Sequence, residues 1–297
     1  MGQNRPQDRY RAALRPRGRG PQPAGRAAEC GQGRSGARCP VWNPKRSGRP
    51  GVIISVAIIT HNAADELDRC LSSVAFADEV VVLDQDSSDH TAEVCARHGA
   101  SLHQTRWLGF GPTKAKAAAL CRNDWVLSVD SDEEVTPQLR AAIEALPADP
   151  APAAFAVNRL SRFLGHWIRH CGWHPDWVVR LFDRRRAGFN DKPVHESVEV
   201  RGETGRLDGL LHHYTYETME QYIEKLNRYT SLAAEEMHAR GRRVSLVAAI
   251  VRAKAAFFRM FFLQGGILDG PAGWVLCLAS AFYVLTKYTK LWRLGAR

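Results

Sequence analysis

Beyond residue 50 the 297-residue chain contains neither a G-x-G-x-x-G run nor a Walker loop, so its strand-and-helix part has no glycine cradle for a dinucleotide or a P-loop nucleotide. Its seven cysteines, Cys30, Cys39, Cys70, Cys95, Cys121, Cys171 and Cys277, include no C-x-x-C pair and no zinc spacing. An odd, scattered set reads as buried thiols of a reducing compartment. The first 50 residues lack the apolar stretch of a secretory signal, which sets the expectation of a cytoplasmic protein. Acidic residues are scarce at both ends. Residues 1–50 carry 12 Lys or Arg against Asp8 and Glu29, and residues 239–297 carry ten against Asp269 alone. The formal net charge of +10 therefore hides a middle, residues 51–238, whose own balance is −9. A uniformly basic nucleic-acid binder is excluded. Residues 1–50 are rich in Arg, Gly and Pro without hydrophobic periodicity, which predicts a disordered basic extension. Only Tyr10 and Trp42 are available there for base stacking, so nucleic acid through this segment stands as the alternative from another class.

From residue 52 the texture changes. Val52 to Thr60 is a continuous β-branched run, the pattern of a strand buried on both faces. Helical spacing of Leu67, Cys70, Leu71 and Val74 follows, then a second buried strand at residues 79–83 and a helix expected over residues 89–98. A short strand at residues 100–106, a helix at 113–122 and a fourth strand at 125–129 complete the pattern. Strand and helix alternating through short connections predict an α/β fold with a mostly parallel central sheet.

Polar residues gather where three of these strands end: Thr60-His61-Asn62, then Asp84 to Asp89, then Asp130-Ser131-Asp132. Open α/β sheets bind ligands along that edge. Helix caps and turns account for Asn62 and Asp89, but not for Asp84, Asp86, Asp130 and Asp132 together. Two carboxylates one residue apart at a strand end suit a hard divalent ion that keeps positions open for phosphate oxygens. Glu133 and Glu134 read as the polar start of the next helix.

Residues 147–152 form a Pro/Ala-rich connection. Beyond it, residues 158–174 are aromatic and cationic, suited to a sugar acceptor bearing phosphate or carboxylate, or equally to a packed core with a basic rim. Asp176 opens a strand and admits a salt bridge to Arg180, while Glu196 adjoins His195 in a turn. Residues 245–263 and 272–286 are apolar stretches edged by Lys and Arg. The second, at 15 residues, is short of the ~20 needed to cross a bilayer. They predict amphipathic helices lying on an anionic membrane surface.

The segments Thr60-His61-Asn62, Val82 to Thr91 and Asp130-Ser131-Asp132 resemble glycosyltransferase family 2, the inverting GT-A enzymes. Residues 107–118, 175–182, Val194-His195-Glu196 and Leu268-Asp269-Gly270 resemble its lipopolysaccharide core glucosyltransferase branch. The resemblance implies a metal-dependent hexosyltransferase with a GT-A nucleotide-diphospho-sugar fold. It divides the chain into residues 1–50, a catalytic domain over 51–238 (nucleotide half 51–146, acceptor half 153–238) and a membrane-associating helical region over 239–297. Thr60, Asn62, Asp84, Asp86 and Asp130 would hold the nucleotide sugar, UDP-glucose, with Asp84 on uracil or ribose. Asp132, with Asp130, would ligate Mg²⁺ or Mn²⁺, and Glu196 or Asp176 would be the catalytic base. The implied partner is a lipid-linked saccharide, the lipopolysaccharide inner core, reached peripherally at the cytoplasmic face of the inner membrane. A polyprenyl phosphate acceptor is the alternative on the same fold. The sequence departs from the family pattern in three places: Ala63 where an acid is usual, Asp86 where glycine is usual, and Ala115 where asparagine is frequent.

Overall fold

A computed structural model describes residues 51–190 and 196–296. The basic extension expected at residues 1–50, and His195 with it, lie outside the described residues.

Strand β1 (Ile54–Thr60) is buried along its whole length, as is β2 (Glu79–Asp84). Helix α1 (Ala64–Ser73) joins them, turning Leu67, Cys70 and Leu71 inward. Then come α2 (Thr91–His98), β3 (Ser101–Gln104), α3 (Phe110–Leu120) and β4 (Trp125–Asp130). These four strands pair in parallel in the order β3-β2-β1-β4. Chain order reverses about β1, so the crevice between the ends of β1 and β4 is the natural ligand position of such a sheet. Apolar clusters fill both faces, with Ile54, Val56 and Ile58 on one and Ala57 and Ile59 on the other. Burial on both faces is why these strands read as unbroken apolar runs rather than alternations.

After β4 the sheet becomes mixed. β5 (Glu133–Val135) precedes α4 (Pro137–Glu144), which starts on a Thr136 side-chain cap with proline in its first turn. β6 (Ala154–Phe163), β7 (His166–Trp167), β8 (Asp176–Asp183) and a ribbon of β9 (Ala187–Phe189) with β10 (Val198–Val200) follow. β11 (Thr204–Tyr216) runs parallel to β6, while β8 lies antiparallel between β4 and β6. Inserting β8 there brings the acceptor-half strands directly beside the end of β4. β11 is interrupted near Gly209, whose φ of +101° suits glycine and whose α-carbon packs on the backbone of α4.

Two features differ from the sequence reading. Glu133 and Glu134 do not open a helix; they form β5, paired with His213 and His212 of β11, because β11 supplies the ladder partners that the local sequence does not reveal. The apolar stretch at 272–286 belongs to a longer helix. Helix α5 (Met219–Ala239) starts on a capping box of Thr218 and Gln221. Helix α6 (Leu246–Phe258) runs through a π turn and a 3-10 turn into α7 (Gly270–Gly295), a helix of 26 residues. Lys290 extends it because its ammonium turns onto α5, donating to Asn227 O at 2.8 Å and Asn227 Oδ1 at 2.7 Å. Among the described residues, Gly266–Gly295 is the one helical span long and apolar enough to cross a membrane by length and composition.

Candidate functional site

The side chains at the sheet's carboxyl edge have distinct roles. Thr60 and Asp84 are register partners at the ends of β1 and β2, and both are buried. The Thr60 hydroxyl has no hydrogen-bond partner among the described residues, whereas Asp84 is saturated from within the fold. Its carboxylate accepts from Ser87 N at 3.2 Å, the Ser87 hydroxyl and Gln104 Nε2 at 2.9 Å. Asn62 ties the first loop to the second: its Oδ1 accepts from Ser88 N at 2.8 Å, and its own N–H donates to Ser87 Oγ at 2.8 Å. Asp86 is exposed with φ at +57°, a left-handed position that explains why glycine is the usual residue there.

Asp130 is the centre of an alternating ion chain. Its carboxylate meets Lys114 Nζ at 2.8 Å and Arg180 Nη2 at 2.7 Å. The same Arg180 nitrogen lies 2.5 Å from Glu133 Oε1, in a side chain with no exposure at all. Glu133 in turn approaches Arg159 Nη1 at 3.5 Å, and Arg159 grips Asp176 at 2.7 Å. At the other end Lys114 Nζ lies 3.0 Å from Glu196 Oε1. Four carboxylates thus alternate with three cations from Glu196 to Asp176. Burial pushes the Asp130 carboxyl upward, but the charges of Arg180 and Lys114 outweigh it and hold the group well below the usual carboxylate range. The Asp176–Arg180 salt bridge admitted by the sequence does not form. Arg180 points from β8 to the end of β4, and Asp176 pairs with Arg159 on the neighbouring strand instead.

Asp132 stands apart from this chain. It lies in the turn between β4 and β5, about one-third exposed, with Oδ2 at 3.5 Å from His213 Nε2 on β11. Burial raises its pKa, and the hydrogen bond and charge of His213 reverse that, so it stays ionised below the usual range. Lys225 on α5 is drawn down by burial, opposed by the charge of Asp132.

The structure therefore brings Asp130, Glu196, Lys114 and Arg180 into contact, and joins Asp176 to them only through Arg159 and Glu133. Thr60, Asn62, Asp84 and Asp86 line the loops at the neighbouring strand ends. Sequence reasoning missed Lys114, Arg180, Glu133 and His213 as members of the site. Lys114, which is buried although it belongs to an alanine-rich helix, was the one local signal.

The chemistry of these donors bears on a divalent ion. Among the described residues, no group of three or more His, Cys, Asp and Glu side chains converges to hold one. Both Asp130 oxygens face cations, whereas Asp132 is open and has an imidazole beside it. This set fits an ion held by few protein ligands and completed by a ligand's own oxygens, the habit of Mg²⁺ with phosphates.

A second set of side chains flanks Asp132. Trp167 of β7 packs against His212 at 4.2 Å between ring centroids and against Tyr214 at 5.4 Å. Tyr214 N donates to Asp132 O at 2.9 Å, and its hydroxyl donates to Glu134. Burial and that bond push the phenol up to about 12, keeping it a donor at neutral pH. A surface depression lined by Arg184–Phe189 and Glu199–Arg201 lies toward the other end of β4, where Trp125 pairs with Asp183, and contains none of these residues.

Residues 55–198 match the family model described as Glycosyl transferase family 2. An uncharacterized glycosyltransferase of Rickettsia conorii is 29% identical over 259 residues, covering 80% of this chain and 89% of that one. A lipopolysaccharide core biosynthesis glycosyltransferase, LpsC, of Rhizobium meliloti is 26% identical over 257 residues, 82% of this chain and 93% of that one. Among solved structures, S. aureus TarS in complex with UDP is similar at 15% identity with a TM-score of 0.42, covering 82% of this chain and 91% of that one. Glucosyl-3-phosphoglycerate synthase from Mycobacterium tuberculosis, in complex with Mn²⁺, UDP and glucosyl-3-phosphoglycerate, is similar at 22% identity and a TM-score of 0.31. That likeness covers 38% of this chain, which spans less than half (45%) of the synthase.

Proposed function

We propose, from the premise that residues 55–198 form a family 2 glycosyltransferase domain on a GT-A-like α/β fold, that the chain transfers a hexose with inversion from a nucleotide sugar to a lipid-linked saccharide. The observation that carries this reading is the convergence of Asp130 and Glu196 on Lys114 at the end of β4, beside the crevice between β1 and β4, with Asp132 in the adjoining turn. Donor and acceptor machinery from the two halves of the chain converge there. The proposed donor is UDP-glucose, with Thr60, Asn62, Asp84, Asp86 and Asp130 around the nucleotide. The free Thr60 hydroxyl supports this placement, because a buried polar atom without a partner is costly unless a ligand completes it. Asp132, with His213 behind it, would hold Mg²⁺ or Mn²⁺, which when bound supplies charge neutralisation for a departing diphosphate.

Inversion needs a base facing the acceptor hydroxyl. Glu196 is the better placed candidate, one lysine away from Asp130. Asp176 accepts from both Arg159 Nε, at 2.9 Å, and Nη2, at 2.7 Å, and is tied down more firmly. Lys114 orients Glu196 while Arg180 keeps Asp130 ionised. The lipopolysaccharide inner core is the proposed acceptor, a reading supported by the name of the Rhizobium meliloti relative and by the chain's apolar C-terminal face. On that face Val247, Val251, Phe258, Phe262, Leu263 and Leu268 are each more than half exposed, in a region with ten basic residues against one acid. Apolar exposure of this extent beside Lys and Arg fits the surface of an anionic bilayer, at the cytoplasmic face of the inner membrane.

The test is a donor screen read by mass spectrometry, using extracted core oligosaccharide as acceptor, with and without EDTA. Hexose addition that needs the metal and is abolished in Glu196→Gln, with UDP binding retained, is the expected result. Normal turnover in Glu196→Gln would move the base to Asp176. Absence of transfer with every donor would overturn the reading. Flotation with anionic vesicles checks the membrane face: Phe262→Ser/Leu263→Ser should stay in the bottom fraction.

A further inference from the structure

The aromatic wall beside Asp132 is flanked by guanidinium groups that the fold leaves incompletely paired. Arg69, from α1, stacks on Tyr214 with its guanidinium carbon 3.5 Å from the ring centroid. Arg162, from β6, lies 5.6 Å from the same ring and 5.8 Å from Trp167. No carboxylate approaches Arg69 within 4 Å among the described residues, and the one partner of Arg162 is Glu217 at 3.6 Å. The Nε atoms of both arginines are buried and have no hydrogen-bond partner among the described residues. Glu134, the nearest acid to the wall, is engaged by the Tyr214 hydroxyl and lies 3.9 Å from His212.

We infer that Arg69 and Arg162 form an anion subsite that receives a carboxylate or phosphate group on the acceptor saccharide, while Trp167 and His212 carry its ring. The argument is one of chemistry and position. Stacked guanidinium planes keep their in-plane N–H donors free for a planar or tetrahedral oxyanion. Trp167 and His212 pack on each other with their ring planes 31° apart, a rigid aromatic pair on which a pyranose face can rest. Tyr214 bridges the subsite to the reaction centre, since its backbone N–H is fixed to the Asp132 carbonyl. The two arginines come from opposite halves of the chain, so neither half alone makes the subsite.

This inference rests on the transferase reading for its acceptor, but its test does not require turnover. Calorimetric titration of the full chain would use extracted core oligosaccharide in native form, after dephosphorylation, and after carboxyl reduction. UDP with Mn²⁺ is titrated in parallel. At least tenfold weaker binding of one neutralised form is expected, with the difference abolished in Arg69→Gln and in Arg162→Gln. Each variant should alter the affinity for UDP less than twofold, and where turnover is measurable the rise should appear in the acceptor KM rather than in kcat. Equal binding of all three oligosaccharide forms by the wild type would overturn the subsite. So would loss of UDP affinity in both variants with the oligosaccharide preference intact, which would assign the arginines to the donor diphosphate. Selective oligosaccharide binding without transfer from any donor would uphold the subsite while overturning the transferase reading. Arg69→Lys keeps the charge but loses the stacked fork, and partial recovery in it separates recognition from misfolding.

Discussion

Replacing Arg180 by methionine removes the cation that serves both Asp130 and Glu133. Glu133 has no exposure, and Arg180 itself is 6% exposed, so water cannot substitute for the lost guanidinium. Removing one partner of a buried pair typically costs about 3–5 kcal/mol, most of it the desolvation of the charge left behind. For a domain of this size about 1 kcal/mol moves the melting midpoint by about 2–4 °C, so a fall of about 6–20 °C is expected. The pH dependence follows from Asp130. Its folded pKa is depressed, so its contribution to stability is complete above the unfolded value of ~3.9 and is lost as pH falls through the folded value. Without Arg180 that depression shrinks, so the deficit against wild type should be full at neutral pH and should shrink only well below about pH 4, as at about pH 2. Circular-dichroism melts at the two pH values measure it. A second variant, Arg180→Met with Glu133→Gln, should recover a large part of the loss, because a neutral amide carries no stranded charge. A midpoint within about 2 °C of wild type, or no recovery in the double variant, would refute the account of a buried ion chain.

Three further outcomes are expected. Gly209→Ala should destabilise by more than about 2 kcal/mol in urea denaturation, since a Cβ at φ +101° would lie 2.3 Å from Leu139 N and 2.6 Å from its Cα. Asp86→Gly should raise stability by up to about 1 kcal/mol by relieving a left-handed backbone, read from the same denaturation curves. Asp132→Asn should weaken Mn²⁺-dependent UDP binding at least about tenfold and leave metal-free binding unchanged. With the Asp132 carboxyl held below its usual range, the wild-type metal dependence should be flat above about pH 5.

The first half of the fold was legible because its signals are local. Residues 52–60 and 79–83 are continuous apolar runs, and a strand buried on both faces needs no knowledge of its partners to be recognised. The acidic clusters at 84–89 and 130–134 stood out because nothing in an isolated strand explains them. Pairings across the chain were not legible. Asp176 and Arg180 are four residues apart on one strand and looked like a pair, yet each is satisfied by another strand. Glu133 resembled a solvated helix start and is instead the most deeply buried carboxylate of the site, because β11 arrives from residues 204–216 to cover it. The extent of α7 was missed because Lys287 and Lys290 resembled its polar end, when Lys290 in fact packs onto α5.

By itself the sequence determined the parallel core, the carboxylates at the strand ends and the apolar, basic C-terminal region, since period, burial and charge are written in consecutive residues. Tertiary structure alone decided which acid is free. Asp130 and Asp132 are chemically equal in the chain, but β8 brings Arg180 and α3 brings Lys114 to the first, while β11 leaves the second open beside His213. A carboxylate's role depends on the charges within a few ångströms of it, and those come from segments as far along the chain as His213 is from Asp132, whose approach no local pattern encodes.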